Sequence, residues 1–107
     1  MQVDPGAAAP EATHRALRDL TAGMMAVATG RSAPAPHVSF FAMGGTPPQA
    51  LELRQMLNTL FGLHLPADAL VRSPTPDALA YCIEDAWFDA GGTSDDLVER
   101  IAALADE

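Results

Sequence analysis

Apolar side chains recur at steps of three and four residues in the first half of the chain, which is the spacing of one face of an α-helix. A first helix is predicted from Pro10 to Thr29, and Gly30 follows it as a stop signal. A second helix is predicted from Pro47 to Leu60, with Gly62 after it. The predicted inward faces are Leu17, Leu20, Met24 and Val27 in the first helix and Ala50, Leu53, Leu57 and Phe61 in the second.

Three more helices are predicted in the second half of the chain. A short turn of helix covers residues 67–71, and a longer helix begins at Pro76 behind the capping residue Thr75 and stops at Gly91-Gly92. A last helix begins at Thr93 or Ser94, and the run from Thr93 to Asp96 approximates a capping box. The predicted inward faces are Leu79, Ile83 and Trp87 in the longer helix and Leu97, Ile101 and Leu104 in the last one.

These helices divide the chain into three parts. Residues 1–10 are rich in Ala, Pro and Gly without periodicity and are predicted to be a disordered lead-in. Residues 11–90 hold the predicted helical bundle, and residues 91–107 hold an acidic C-terminal helix. Prolines and glycines forbid a helix between the first two helices, where Phe40 and Phe41 are too apolar to be left in water.

Charge and cysteine content limit the class of partner and the compartment. Fourteen acids against six arginines give a net charge of −8, which disfavours nucleic acid because few cations are present to displace counterions from phosphates. Residues 77–107 contain nine acids and only one arginine, so a partner with a basic surface fits better. Cys82 is the only cysteine, and no signal peptide or membrane-spanning run is recognised. A cytoplasmic protein without a membrane partner is expected.

A longer series of residues stands in one register: Phe40-Phe41, Gly44-Gly45, Ala50, Leu53, Leu57, Phe61-Gly62, Leu65-Pro66, Pro74-Thr75 and Leu79-Ala80. In this register the chain resembles the acyl and peptidyl carrier proteins of nonribosomal peptide and polyketide assembly lines. The resemblance covers about residues 10–86. It implies an all-α, carrier-protein-like four-helix bundle of three main helices and one short helix, to which the C-terminal helix is an addition.

The chain departs from the carrier pattern at the start of the second helix. In carriers, the second residue after Gly-Gly is a serine whose hydroxyl is esterified by phosphopantetheine, and that position is Pro47 here. Proline has no nucleophile, so the resemblance implies that no cofactor is attached at this position. Thr46 and Pro48 replace the neighbouring acidic and apolar residues. We expect Thr46 to be a turn or capping residue, since its β-branched hydroxyl stands one position early.

A second Gly-Gly motif, residues 87–96, places Ser94 at the serine position of the carrier signature. Asp95 and Asp96 stand where carriers have apolar residues, and the remaining chain is too short for a second bundle. The favoured interpretation of Ser94 is a helix N-cap. The alternative is a cargo-bearing acyl or peptidyl carrier protein with 4'-phosphopantetheine on Ser94.

The resemblance implies a role in protein–protein interaction without catalysis. We expect a docking, scaffolding or accessory component of a nonribosomal peptide or polyketide-type pathway, whose partner is an assembly-line or tailoring enzyme with a basic or apolar docking surface. Carriers present the loop before the second helix, and the helix itself, to their partners. The corresponding contact residues are expected to be Met43, Thr46, Pro47, Pro48, Leu51, Arg54 and Gln55.

The remaining reactive side chains indicate neither a metal site nor an enzyme. His14, His37 and His64 are dispersed, and no pair has the spacing of helical metal ligands. Cys82 has no base close to it in the sequence and is expected to be a small buried residue. Phosphate-loop, dinucleotide-binding and catalytic-triad patterns are also missing from the sequence, so no catalytic residue is predicted.

The C-terminal helix has two conceivable placements. It either folds back over the bundle beside Trp87 or projects and docks into an Arg/Lys-lined groove of a partner. The short Gly91-Gly92 connection and the apolar surface of Trp87 favour folding back.

Overall fold

A computed structural model of the chain describes residues 10–105, and its regular elements within that range are five helices. These are α1 Glu11–Thr29, α2 Pro47–Phe61, α3 Ala69–Arg72, α4 Pro76–Asp89 and α5 Ser94–Ala105. Helix α1 packs against α2, α4 and α5, while α3 contacts α2 and α4. The predicted all-α fold is confirmed. The predicted disordered lead-in falls on residues 1–9, which lie outside the described residues, and on Pro10, which precedes α1.

Most helix boundaries agree with the sequence signals that predicted them. The hydroxyl of Thr75 accepts a hydrogen bond from the backbone N–H of Ala78 at 3.0 Å, so the predicted cap of α4 is confirmed. Helix α3 begins later than predicted because the backbone N–H of Ala69 donates to the Pro66 carbonyl at 3.0 Å. That bond closes a turn over residues 66–69 before the helix starts.

The apolar stripes of α2 and α4 are buried as predicted, but that of α1 is partly wrong. Val27 is 76% exposed, and Leu20 is only half-buried. The buried face of α1 instead includes Thr21 and Met25, which have no exposed surface. Three helices pack on α1, so the face that it buries is wider than one apolar stripe and is rotated away from Val27.

The loop between α1 and α2 is tied to the start of α4. Phe40 is fully buried, and its backbone N–H donates to the Pro74 carbonyl at 2.7 Å. The backbone N–H of Asp77 donates to the Pro36 carbonyl at 3.1 Å. These bonds fix the residues that lead into α2.

Helix α5 folds back on the bundle, as favoured from the sequence. Leu97 is fully buried, Ile101 is 5% exposed, and Leu104 packs at the edge of the core. The guanidinium of Arg100 donates to the Leu60 carbonyl and lies 5.9 Å from the centre of the Trp87 ring. None of the described helices has the length and apolar character needed to cross a membrane.

Candidate functional site

The first Gly-Gly turn, residues 40–46, positions the start of α2. The backbone N–H of Gly45 donates to the Phe40 carbonyl at 2.9 Å, and that of Gly44 donates to the Phe41 carbonyl at 3.2 Å. Gly44 has a φ of 108°, and a Cβ on Gly45 would lie 2.3 Å from the Phe40 ring. Both positions therefore require glycine.

A complete capping box starts α2. The Thr46 hydroxyl accepts a hydrogen bond from the Gln49 backbone N–H at 3.3 Å, and the Gln49 side-chain oxygen accepts one from the Thr46 N–H at 2.9 Å. The predicted capping role of Thr46 is confirmed. Pro47 and Pro48 occupy the first two helical positions, where the N–H that proline lacks would have no partner within the helix. The residues at this helix start are exposed to solvent.

The predicted partner-contact residues differ in accessibility. Thr46, Pro47, Pro48, Leu51 and Gln55 are exposed, and 47% of Leu51 is accessible. The other two predicted contact residues interact with the fold itself. Met43 is half-buried against the core, and the Nε–H of Arg54 donates to the Leu65 carbonyl at 2.9 Å.

An apolar groove continues this surface along α2, where sequence reasoning placed no contact residue beyond Gln55. Its lining consists of Glu52, Gln55, Met56, Thr59 and Leu60. Their spacing of three and four residues could have indicated this groove from the sequence, because residues so spaced share one face of a helix, here the face beside the buried one.

The second Gly-Gly turn, residues 87–93, repeats the backbone of the first. The backbone N–H of Gly92 donates to the Trp87 carbonyl at 2.9 Å, and that of Gly91 donates to the Phe88 carbonyl at 3.0 Å. Gly91 has a φ of 94°, and a Cβ on Gly92 would lie 2.4 Å from the Trp87 indole nitrogen. The same hydrogen bonds, positive φ and aromatic contact therefore precede both α2 and α5.

Ser94 occupies the position in the second turn that Pro47 occupies in the first, since each is the first residue of its helix. The cap of α5 is Thr93, whose hydroxyl accepts a hydrogen bond from the Asp96 backbone N–H at 3.1 Å. The prediction that Ser94 is the N-cap is therefore wrong, whereas the capping bond predicted between Thr93 and Asp96 is present. Thr93 and Ser94 both carry a hydroxyl at this helix start. The turn places the Thr93 hydroxyl, and not that of Ser94, beside the free N–H groups of the first turn of α5.

Sequence reasoning missed a buried polar cluster between α1 and α4. His14 is 8% exposed; its Nδ1 lies 2.5 Å from a Glu84 oxygen, and its Nε2 lies 2.8 Å from an Asp77 oxygen. The ring of Tyr81 stacks on the His14 ring with centroids 3.8 Å apart. No local signal could have found the cluster, because both carboxylates are more than sixty residues away in sequence.

The cluster changes the acid–base behaviour of its members. Burial lowers the pKa of His14, but the hydrogen bonds to Asp77 and Glu84 outweigh it and raise that pKa above its ordinary value. Burial raises the pKa of Glu84, although His14 opposes that shift. The two carboxylates contact opposite nitrogens of the imidazole ring, so the three side chains do not converge on one point. The part of the chain that the structure describes contains no group of three or more potential metal ligands.

Cys82 is half-buried on α4. Burial raises the pKa of its thiol, which keeps it in the unreactive protonated form. Its environment gives no indication of a nucleophile.

A family model described as a phosphopantetheine attachment site matches residues 15–83, which is more than half of the chain. The chain belongs to this family. The matched range includes the first Gly-Gly turn and ends before the second. A search of curated proteins found no match.

Solved structures of carrier proteins have the same fold. The type-II acyl carrier protein BlmI of Streptomyces verticillus, involved in bleomycin biosynthesis, is 26% identical with a TM-score of 0.60, and the match covers 64% of this chain and 83% of BlmI. The A1-type ACP domain from module 5 of MLSA1 is 27% identical with a TM-score of 0.65, covering 76% of this chain and 84% of that domain.

A larger protein shares the fold in one small part of its length. The nonribosomal peptide synthetase FmoA3 is 22% identical with a TM-score of 0.67, and the match covers 86% of this chain but 10% of the synthetase. The chain is therefore similar to a type-II acyl carrier protein and to an ACP domain of a module, and it shares its fold with a segment of a synthetase.

Proposed function

We propose that the chain is a carrier-like protein without a phosphopantetheine attachment serine, which acts by binding an assembly-line or tailoring enzyme in a nonribosomal peptide or polyketide-type pathway. It has a docking, scaffolding or accessory role, and it neither catalyses a reaction nor carries a cofactor. Pro47 at the start of α2 is the observation that carries this proposal.

The residues at the start of α2 do not fit an attached phosphopantetheine group. Pro47 has no hydroxyl, and the neighbouring Thr46 hydroxyl already accepts the Gln49 N–H of the capping box. Esterifying Thr46 would place a bulky group on the atom that caps the helix. Thr46 and Pro47 therefore stabilise the start of α2, and neither offers a free hydroxyl to which phosphopantetheine could be attached.

The exposed start of α2 supports a binding role. Leu51 is exposed beside the two prolines, and the apolar groove of Met56 and Leu60 continues the same helix. Among residues 10–105, most acids without an ion-pair partner are exposed on α4 and α5, and their charge favours a partner with a basic surface.

A mass measurement tests the proposal. The purified chain, incubated with coenzyme A and a broad-specificity phosphopantetheinyl transferase, is expected to keep its mass. The variant Thr46→Asp/Pro47→Ser/Pro48→Leu is expected to gain the mass of one phosphopantetheine, because it restores the carrier residues on a carrier backbone. Modification of the unchanged chain at any residue contradicts the proposal.

One observation favours a second candidate function, a cargo-bearing carrier modified at Ser94. The second Gly-Gly turn reproduces the geometry of the first and puts a serine where the first has Pro47. The variant Ser94→Ala separates the two functions. A mass gain of the unchanged chain that Ser94→Ala abolishes establishes the second function, whereas an unchanged mass in both proteins supports the first.

A further inference from the structure

The cluster of His14, Asp77, Glu84 and Tyr81, called here the His14 cluster, joins the first turns of α1 to α4, and its members His14 and Glu84 are buried. The side chain of Glu84 is 4% exposed and that of Asp77 is 29% exposed, so both carboxylates are at least partly removed from water. Tyr81 covers one face of the imidazole at 3.8 Å. The backbone N–H of His14 also closes the first turn of α1 on the Pro10 carbonyl at 3.0 Å.

The number of protons in the cluster decides whether both of its hydrogen bonds exist. A neutral imidazole has one N–H donor and one lone pair, whereas both His14 nitrogens lie at hydrogen-bond distance from carboxylate oxygens. Two ionised carboxylates therefore require the imidazolium form. When the extra proton leaves, one nitrogen lone pair faces a carboxylate oxygen with no hydrogen between them, and that contact becomes repulsive.

We propose that His14 is a pH-dependent clasp, which holds the first turns of α1 on α4 while the ring is protonated and releases them when the proton is lost. The released proton goes to solvent, and no other bond changes. The core contacts of α1 from Leu17 to Met25 are apolar apart from Thr21 and are independent of this proton. The release is therefore confined to the turns before Leu17.

The groups on α4 determine the pKa of both buried members of the cluster. Burial lowers the pKa of His14, but Asp77 and Glu84 outweigh it and raise that pKa. Burial raises the pKa of Glu84, His14 opposes this rise, and Asp85 and Asp77 add to it. On α1, Glu11 pairs with Arg15 at 3.7 Å, and both side chains are largely exposed. Helix α5 also packs on α1, but among the described residues none of its side chains acts on either pKa.

The direction of the effect follows from proton linkage. A histidine whose pKa is raised on folding stabilises the folded state fully below its unfolded pKa, which is about 6.5. That stabilisation is lost as pH rises from there through the folded pKa of His14. Across this window the folding equilibrium constant is expected to fall by up to about tenfold per pH unit, because the folded state holds one more proton than the unfolded state.

An NMR titration of the unchanged chain tests the clasp without any substitution. The imidazole resonances of His14 are expected to titrate above the pKa of about 6.5 that is ordinary for histidine. Above that midpoint, the helical 13Cα shifts of residues 11–16 are expected to decrease while those of residues 24–29 stay constant. A His14 midpoint at or below about 6.5, or equal loss of helical shifts at both ends of α1, overturns the proposal.

Two variants distinguish a clasp from a merely structural histidine. Melting temperatures from pH 6 upward are expected to fall more steeply for the unchanged chain than for His14→Gln, whereas the control His64→Gln keeps the steep fall. The variant Glu84→Gln keeps an acceptor without its charge, so the His14 midpoint is expected to move down. An unmoved midpoint in Glu84→Gln, or equal slopes for the unchanged chain and His14→Gln, contradicts the clasp. Glu84→Gln provides the test if His14→Gln does not fold.

Discussion

The substitution Leu97→Ala measures how much the packing of α5 on the bundle contributes to the free energy of unfolding. Leu97 has no exposed surface, and with Ile101 it supplies the buried part of α5. Truncating a fully buried leucine costs about 2 to 5 kcal/mol, because burial is lost and a cavity remains. A domain of this size loses about 4 to 8 °C of melting temperature per kcal/mol. The lower bound of about 2 kcal/mol therefore corresponds to a decrease of roughly 8 to 16 °C.

The neighbouring residue provides a matched control. Val98 lies on the same helix but is 45% exposed, so Val98→Ala is expected to change the free energy of unfolding by about 0.5 kcal/mol or less. Urea unfolding followed by the fluorescence of Trp87 gives both values, because its indole N–H donates to the carbonyl of the capping residue Thr93 and its ring lies beside Arg100 of α5. Each substitution removes only aliphatic carbon, and removal of the β-branch at Val98 favours the helix slightly, so a large loss confined to Leu97→Ala reports its burial.

One result would refute this reasoning. If Leu97→Ala costs less than about 1 kcal/mol, α5 contributes little to stability and is free to leave the bundle, since a buried leucine in an intact core costs more. Equal losses in Leu97→Ala and Val98→Ala would indicate that the assigned face of α5 is wrong.

Two further predictions concern the turns and helix interiors. Gly92→Ala is expected to cost about 1 to 3 kcal/mol, because the new Cβ would lie 2.4 Å from the Trp87 indole nitrogen. Gly23 lies within α1, and a Cβ added there would meet no side chain or other segment within 4 Å, so Gly23→Ala is expected to stabilise the fold by about 0.5 to 1 kcal/mol. Urea unfolding of Gly92→Ala and Gly23→Ala checks the expected loss and the expected gain. Thr46→Ala is expected to cost about 1 kcal/mol through loss of the α2 cap, and an unchanged midpoint of unfolding would show that the capping box contributes nothing.

Local physical chemistry explains what the sequence alone determined. The starts of α2 and α4 follow from a threonine and a proline at adjacent positions, whose capping and fixed φ act within one turn. The buried stripes of α2, α4 and α5 follow from helical periodicity. The absence of a hydroxyl at Pro47 is a property of the residue type and needs no coordinates.

Only the tertiary structure decided which side chains from distant segments meet. Helix α1 is covered by three other helices, so its buried face could not be read from one apolar stripe, and Val27 lies outside it. The hydrogen bond from the Nε–H of Arg54 to the Leu65 carbonyl joins α2 to the loop after it, which helical periodicity did not indicate. The His14 cluster joins residues on α1 and α4 that no local pattern relates. The hydrogen bonds of His14 depend on how close α1 lies to α4, and neither the periodicity nor the composition of the sequence gives that distance.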